Sequence, residues 1–313
     1  MKIGKVTLIG LGAMGSFFAP RLAKSLGEGG FRVLAEGERK ERLESRGVVL
    51  NGTPYHFPVV TPQDAGDPAD LVLIAVKYTA LAQAIADIRN QVGPETQILC
   101  VLNGVDSEER VAAVYGWDHV LYSYMRVSIA MRDGAANYDP AVGSVHFGEA
   151  ENESDAPTAR VQAVAGLFDA CAVPYRVDAD MIRGIWFKFM CNVGENLTCA
   201  LLGVPFGAFC KSEYANAIRR AAMCEVVEIA NRLGIALGQE DIDRQEKTIH
   251  GLPFLNKPST LQDLEQKRPT EIEMFAGKVL EFGRELGVET PVNWMLYQGI
   301  RALEEKNRGL FEE

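Results

Sequence analysis

A chain of 313 residues with 47% apolar and 24% charged residues has ordinary globular composition, long enough for two domains that each bury a core, and is neither disordered nor fibrous. Acidic residues outnumber basic ones, 42 to 32; the resulting net charge of -10 excludes the cationic surface that non-specific nucleic-acid or anionic-membrane binding needs, while leaving room for a local basic pocket. The six cysteines form no CxxC pair and the four histidines no HExxH spacing, so the reading is reduced, mostly buried thiols in a cytoplasmic protein and no metal site.

Taken in order, the first half alternates strands and helices. Residues 6–9 form a short apolar run that ends at Gly10 and predicts a strand. Lys2 and Lys5 ahead of the apolar stretch 6–19 imitate a secretory signal, but glycines at 10, 12 and 15 interrupt it, and a strand entering a glycine turn is the better reading. Residues 13–26 have helical spacing, and 31–35 read as a second strand. Asn51-Gly52 within 48–60 predicts a β-hairpin. The continuous apolar run 71–76 fits a strand buried on both faces of a parallel sheet, as does 97–102, with helices expected at 81–90 and 108–115. Antiparallel strands are expected to flank the turn-like Asp133-Gly134 and Asp139-Pro140 between 120 and 147. A helix at 159–170 and a strand at 173–177 close this half.

After Asp178 the periodicity is nearly all helical, with main segments at 181–202, 214–233, 271–286 and 293–306. The expected fold is therefore α/β: a Rossmann-like dinucleotide-binding domain with a mostly parallel sheet over 1–178, and an all-α substrate or catalytic domain over 179–313. No stretch reaches the roughly 20 apolar residues of a membrane span.

Gly10-Leu11-Gly12-Ala13-Met14-Gly15 fits GxGxxG in the right setting, with a strand before it, a helix after it and a second strand following. Gly10 permits the tight turn, Gly12 lets the backbone approach a pyrophosphate, and Gly15 lets helix and strand pack closely. The helix N-terminus supplies unpaired N–H groups. Glu36 stands 21 residues after Gly15, where an acid binds the adenosine ribose hydroxyls of NAD. Arg39 and Lys40 follow and could instead clamp the 2′-phosphate of NADP, or simply start a solvated helix, so the residues alone leave the cofactor open.

In the helical half, Lys188, Asn192 and Asn196 recur four residues apart in a segment rich in Phe, Met, Cys and Leu. On an α-helix they share one face, and an ammonium with two carboxamides among apolar neighbours suggests a lined cleft. With these residues the chain resembles the ketopantoate reductases over essentially its full length. The resemblance rests on the GxGxxG turn, Val76-Lys77, Asn103-Gly104, the K-x3-N-x3-N helix, Ser259-Thr260-Leu261-Gln262-Asp263 and Pro269-Thr270-Glu271-Ile272.

The resemblance implies NADPH-dependent reduction of 2-dehydropantoate to (R)-pantoate, on the route to pantothenate and coenzyme A. It makes Lys188 the general acid and Glu271 the group that orients it or a substrate hydroxyl. Asn192 and Asn196 bind substrate hydroxyls, Ser259 the substrate carboxylate, and Lys77 and Asn103 the cofactor. Glu36 stands where NADP-using members commonly carry Arg, which keeps NAD(H) open beside NADP(H). Residues 204–209 lack a further asparagine that some members use, which opens the substrate to other 2-keto or β-hydroxy acids. Taken singly, Lys77 reads as an exposed strand-end lysine, Asn103-Gly104 as a turn, and Ser259 and Thr270 as helix caps, with Glu271 complementing a helix dipole. A cofactor-sensing protein without chemistry is the rival of a different class. The expected partner is a small keto acid, with domain closure around the cofactor and a homodimer plausible for such enzymes.

Overall fold

The computed structural model describes residues 2–127, 129–132, 135–137 and 143–311. The turn dipeptides Asp133-Gly134 and Asp139-Pro140 lie outside the described residues. The chain divides into two compact units, Met1–Ile182 and Arg183–Glu313.

The first unit runs β1 (Val6–Ile9), α1 (Ala13–Leu26), β2 (Phe31–Leu34), α2 (Gly37–Arg46), β3 (Val48–Leu50), β4 (Thr53–Tyr55), β5 (Val59–Val60), β6 (Ala69–Ile74), α3 (Leu81–Asp87), β7 (Val92–Cys100) and α4 (Ser107–Tyr115). It continues with β8 (Val120–Arg126), β9 (Ala130–Arg132), β10 (Ala135–Asn137), β11 (Ser144–Gly148), α5 (Ala159–Ala170) and β12 (Tyr175–Arg176). Eight strands form one sheet in the order β12-β11-β8-β7-β6-β1-β2-β5. Every pairing is parallel except β8 with β11, so the sheet is mostly parallel, as its apolar runs require.

Successive side chains of a strand point to opposite faces, and both faces here are covered. Leu8, Leu71 and Leu73 pack in one layer with Phe17, Phe18 and Leu22 of α1 and Phe168 of α5. Ile9, Val72 and Ile74 pack in the other with Leu81 and Ile85 of α3 and Val111 of α4. Each such side chain contributes about 1.5–3 kcal/mol on burial.

The hairpin at Asn51-Gly52 forms, with Leu50 opposite Thr53 and both turn residues at positive φ, 48° and 77°. Its sequel differs from the expectation for 48–60. Val59–Val60 leaves the hairpin and joins the large sheet parallel to β2, while β3 and β4 enter a separate four-stranded sheet with β9 and β10. Of the strand expected over 173–177, only Tyr175–Arg176 pairs, beside β11.

The second unit is all helical. It holds α6 (Met181–Cys191, whose first turn lies at the unit boundary), α7 (Leu197–Leu202), α8 (Glu213–Arg232), α9 (Gln239–His250), α10 (Ser259–Glu265), α11 (Lys278–Leu286) and α12 (Pro291–Asn307). The 20-residue α8 is the central helix, packed by α7, α9, α11 and α12. Two expected helices are interrupted: a π turn at Asn192–Asn196 separates α6 from α7, and a second, Glu273–Gly277, precedes α11. The α9 helix was not anticipated, because its only aliphatic residues are Ile242 and Ile249, too few for a periodic signal. Among the described residues no helix is long and apolar enough to cross a membrane, and no cluster of His, Cys, Asp and Glu could hold a metal. Cys100, Cys171, Cys191 and Cys199 are buried, and Cys210 and Cys224 exposed.

Candidate active site

The glycine turn joins β1 to α1 at the C-terminal edge of the sheet, where strand order reverses between β6 and β2 on either side of β1. Gly10 has φ 98°, and a Cβ there would lie 2.5 Å from the backbone of Ala75 at the end of β6. A Cβ on Gly15 would lie 2.1 Å from the carbonyl oxygen of Gly10, so only glycine lets α1 approach the strand. A Cβ on Gly12 would meet nothing within 4 Å: this glycine faces open space. Gly12 is also the N-cap of α1, with no side-chain cap and no acid in the first turn. The first N–H groups of α1 and their partial positive charge, with Leu11, Ala13 and Met14 completing the turn, therefore fit a pyrophosphate.

One strand along, Glu36 follows β2 as the exposed N-cap of α2. Its carboxylate makes no hydrogen bond or ion pair among the described residues. Lys40 is tied along the helix to Glu44 at 2.8 Å, and Arg39 is exposed.

Lys77, exposed, follows β6 and caps a short 3-10 turn, and Asn103, half-buried, follows β7. The structure thus brings Gly10, Glu36, Lys77 and Asn103 to the same edge of four neighbouring strands. Sequence reasoning missed the clasp between two of these loops. Tyr78 donates its hydroxyl to Asp106 at 2.6 Å, and Arg110 donates to the same oxygen at 3.0 Å while stacking over the Tyr78 ring. The Asp106–Arg110 spacing on the start of a helix was the available signal. Beside it, fully buried Glu108 accepts from Ser107 Oγ at 2.7 Å and from the Ser123 N–H at 3.1 Å. Burial pushes its carboxyl up to about 7, against the pull of those hydrogen bonds.

In the helical unit Lys188 is half-buried on the last turn of α6, between the buried Phe187 and Phe189. Asn192 opens the π turn and is half-buried, and Asn196 closes it and is buried. The regular α-helical face expected for these three residues is therefore replaced by an α step followed by a π step. Single π turns inside α-helices recur at functional sites. This turn packs against α10 and against the second π turn, Glu273–Gly277.

Ser259 is the first residue of α10 and is exposed, and its hydroxyl makes no hydrogen bond among the described residues; the N-cap of α10 is Pro258, so Ser259 does not cap the helix. Thr270 does act locally: its hydroxyl donates to Glu304 at 2.7 Å and accepts from the Ile272 N–H at 3.3 Å. Glu271 is half-buried, and its carbonyl accepts from Met274 and Phe275 as the second π turn begins. Lys188, both asparagines, Ser259 and Glu271 thus all lie in one unit, on α6, on the π turn that follows it, on α10 and just ahead of the second π turn.

Residues 6–152 match the family described as ketopantoate reductase PanE/ApbA, and 180–304 match the C-terminal part of the same family. The 2-dehydropantoate 2-reductase of Streptococcus pyogenes serotype M6 is 28% identical over 307 residues, 96% of this chain and 97% of that protein. In fold, the chain superposes with a TM-score of 0.86 on a D-mandelate dehydrogenase solved with NADH and anilino(oxo)acetate, at 23% identity over 97% of this chain and 99% of that one. It superposes with a TM-score of 0.82 on a PanE/ApbA family ketopantoate reductase from Ralstonia eutropha JMP134, at 24% identity over 97% and 99%. With both halves matched in order along nearly the whole chain, the protein belongs to the ketopantoate reductase family, NAD(P)-dependent oxidoreductases that act on a CH–OH group.

Proposed function

We propose that the protein reduces a branched 2-keto acid, 2-dehydropantoate in the first place, to the (R)-2-hydroxy acid, and that it draws on NADH in preference to NADPH. The observation that carries the reading is the half-buried lysine of an apolar helix that runs on into Asn192 and Asn196. When bound, the nicotinamide supplies a hydride to the ketone carbon, which leaves the carbonyl electron pair on oxygen. The Lys188 ammonium polarises that carbonyl, stabilises the negative charge as it develops and donates the proton that completes the alcohol. Asn192 and Asn196 each offer a donor and an acceptor, which suits substrate hydroxyls. The exposed Ser259 hydroxyl is available to a carboxylate, and Glu271 orients the lysine or a substrate hydroxyl.

On the nucleotide side, the Gly10–Gly15 turn and the start of α1 hold the pyrophosphate, and Lys77 and Asn103 line the strand ends next to it. Glu36 supports NADH because an unengaged carboxylate accepts from ribose hydroxyls and repels a 2′-phosphate. Arg39 opposes it, at the edge of the same site.

A second reading, a bulkier or aromatic 2-keto acid, is favoured by residues 204–209 (VPFGAF), which carry no asparagine, and by the mandelate dehydrogenase likeness. Both readings are tested by following nicotinamide absorbance with each cofactor against 2-dehydropantoate, phenylglyoxylate and straight-chain 2-keto acids. The highest kcat/KM for 2-dehydropantoate with NADH is expected. The highest value for phenylglyoxylate selects the second reading. Cofactor binding without turnover on any keto acid sinks both and leaves a cofactor sensor.

A further inference from the structure

We infer that Glu195 and Arg219 form a positioning clamp that holds the π turn at Asn192–Asn196 and so returns Asn196 to the helix face of Lys188; the inference deepens the keto-acid reading and rests on it.

The geometry starts from helix pitch. An α-helix advances about 100° per residue, so four residues overshoot a full turn by about 40°. Lys188, Asn192 and Asn196 on an uninterrupted α-helix would fan out over about 80°. A π turn, closed by i→i+5 bonds, advances only about 82° per residue, so four residues fall short by about 30°. The α step to Asn192 and the π step to Asn196 nearly cancel, and Asn196 returns to within about 10° of Lys188. Reversion of the turn to α would swing Asn196 away from that face.

A π turn between two α segments persists only where its surroundings hold it. Glu195, inside the turn and buried, accepts from Arg219 Nη1 at 3.4 Å and from Gln245 Nε2 at 3.2 Å. Arg219 on α8 is fully buried. It also donates to Asn216 Oδ1 at 2.8 Å and to Glu246 Oε2 at 3.1 Å, and it lies over the Phe209 ring. The turn's backbone is pressed onto the same helix: a Cβ on Gly194 would lie 2.5 Å from Met223 Cγ and 2.8 Å from the Arg219 carbonyl oxygen. A buried ion pair is a poor source of stability compared with apolar side chains of the same size, which points to geometry as its use here. Neither residue is placed among the groups that meet the substrate; both act through Asn196.

The test uses the full-length protein and two variants, Glu195→Gln and the double change Glu195→Met with Arg219→Met. Keto-acid KM and kcat, cofactor Kd, Tm and amide exchange over residues 192–198 are measured, with a crystal structure of the double variant. Glu195→Gln keeps an acceptor oxygen but loses the charge, and is expected to raise KM at least threefold. The double variant is expected to lose the π turn and to drop kcat/KM at least thirtyfold, with cofactor Kd unchanged and Tm equal to or above wild type. Opposite movement of Tm and activity is a signature that simple damage to the fold does not produce. A double variant that keeps the π turn, or loses it with kcat/KM intact, overturns the clamp. Should the double variant not fold, an unchanged KM and unchanged exchange in Glu195→Gln overturn it. If the wild-type protein turns over no keto acid, the proposed function fails, and the crystal structure and exchange data still decide the clamp by themselves.

Discussion

The glycine-turn edge of the first unit and the lysine helix of the second present polar groups by different means. At the glycine turn the polar groups are backbone: Gly10 and Gly15 are required by close contacts, and Gly12 leaves open space at the start of α1. On the lysine helix the work is done by side chains, and their common face depends on a π turn gripped from α8 and α9. A backbone site is set by local sequence, whereas a side-chain site inherits the register of its helix and everything that packs on it.

Four substitutions break or sharpen that contrast. The largest effect is expected on the helix side: Lys188→Ala should lower kcat by about 10²–10⁴, the usual contribution of a general acid, with cofactor Kd unchanged by fluorescence titration. Near-normal turnover would remove the lysine from proton transfer. Next come two alanines in the glycine turn. Gly15→Ala forces a methyl against the Gly10 carbonyl and should cost about 2–3 kcal/mol in urea unfolding. Gly12→Ala meets no protein atom, so Tm should hold while cofactor Kd rises at least about tenfold, because the methyl stands where phosphate must approach. Equal effects of the two on Tm would show that Gly12 is structural. Glu36→Arg should then shift the NADPH to NADH ratio of kcat/KM by about tenfold or more towards NADPH. An unmoved ratio would transfer cofactor choice to Arg39.

The last and most general test concerns Glu108. Its folded-state value is raised to about 7, above that of an unfolded glutamate. Below the unfolded value both states hold the proton, and the stability is fully present. As pH rises through about 7 it is lost, because the unfolded chain ionises first; the total is about 3 kcal/mol. Glu108→Gln should remove this slope, so the variant gains on wild type between pH 5 and pH 8 in parallel urea titrations. Parallel curves would mean that Glu108 stays solvated in the folded protein.

Much of the molecule was legible before any coordinates. The 6–9 strand, the glycine turn, the 13–26 helix and the buried strands at 71–76 and 97–102 all follow from apolar runs and glycine spacing, because each is decided by residues adjacent in the chain. Elements built on distant partners were not legible. The α9 helix has acids in its first turn and Lys247 and His250 in its last, a dipole pattern that could have exposed it. Its place, however, depends on buried Asp241, which accepts from Arg183 at 2.8 Å across 58 residues of sequence. Likewise Val59–Val60 reads as the end of a hairpin until β2 offers it a parallel edge.

The sequence by itself determined the strand, glycine turn and helix from Val6 to Leu26, because the apolar run, the helical spacing and the contact of Gly15 with the Gly10 carbonyl are all set within a few residues. It also singled out Lys188, Asn192 and Asn196, which recur four residues apart in an apolar segment. Only the tertiary structure decided how those side chains line up: Arg219 from one helix and Gln245 from another grip Glu195 across 24 and 50 residues of chain. Helical periodicity assumes 3.6 residues per turn and has no means of registering such a grip.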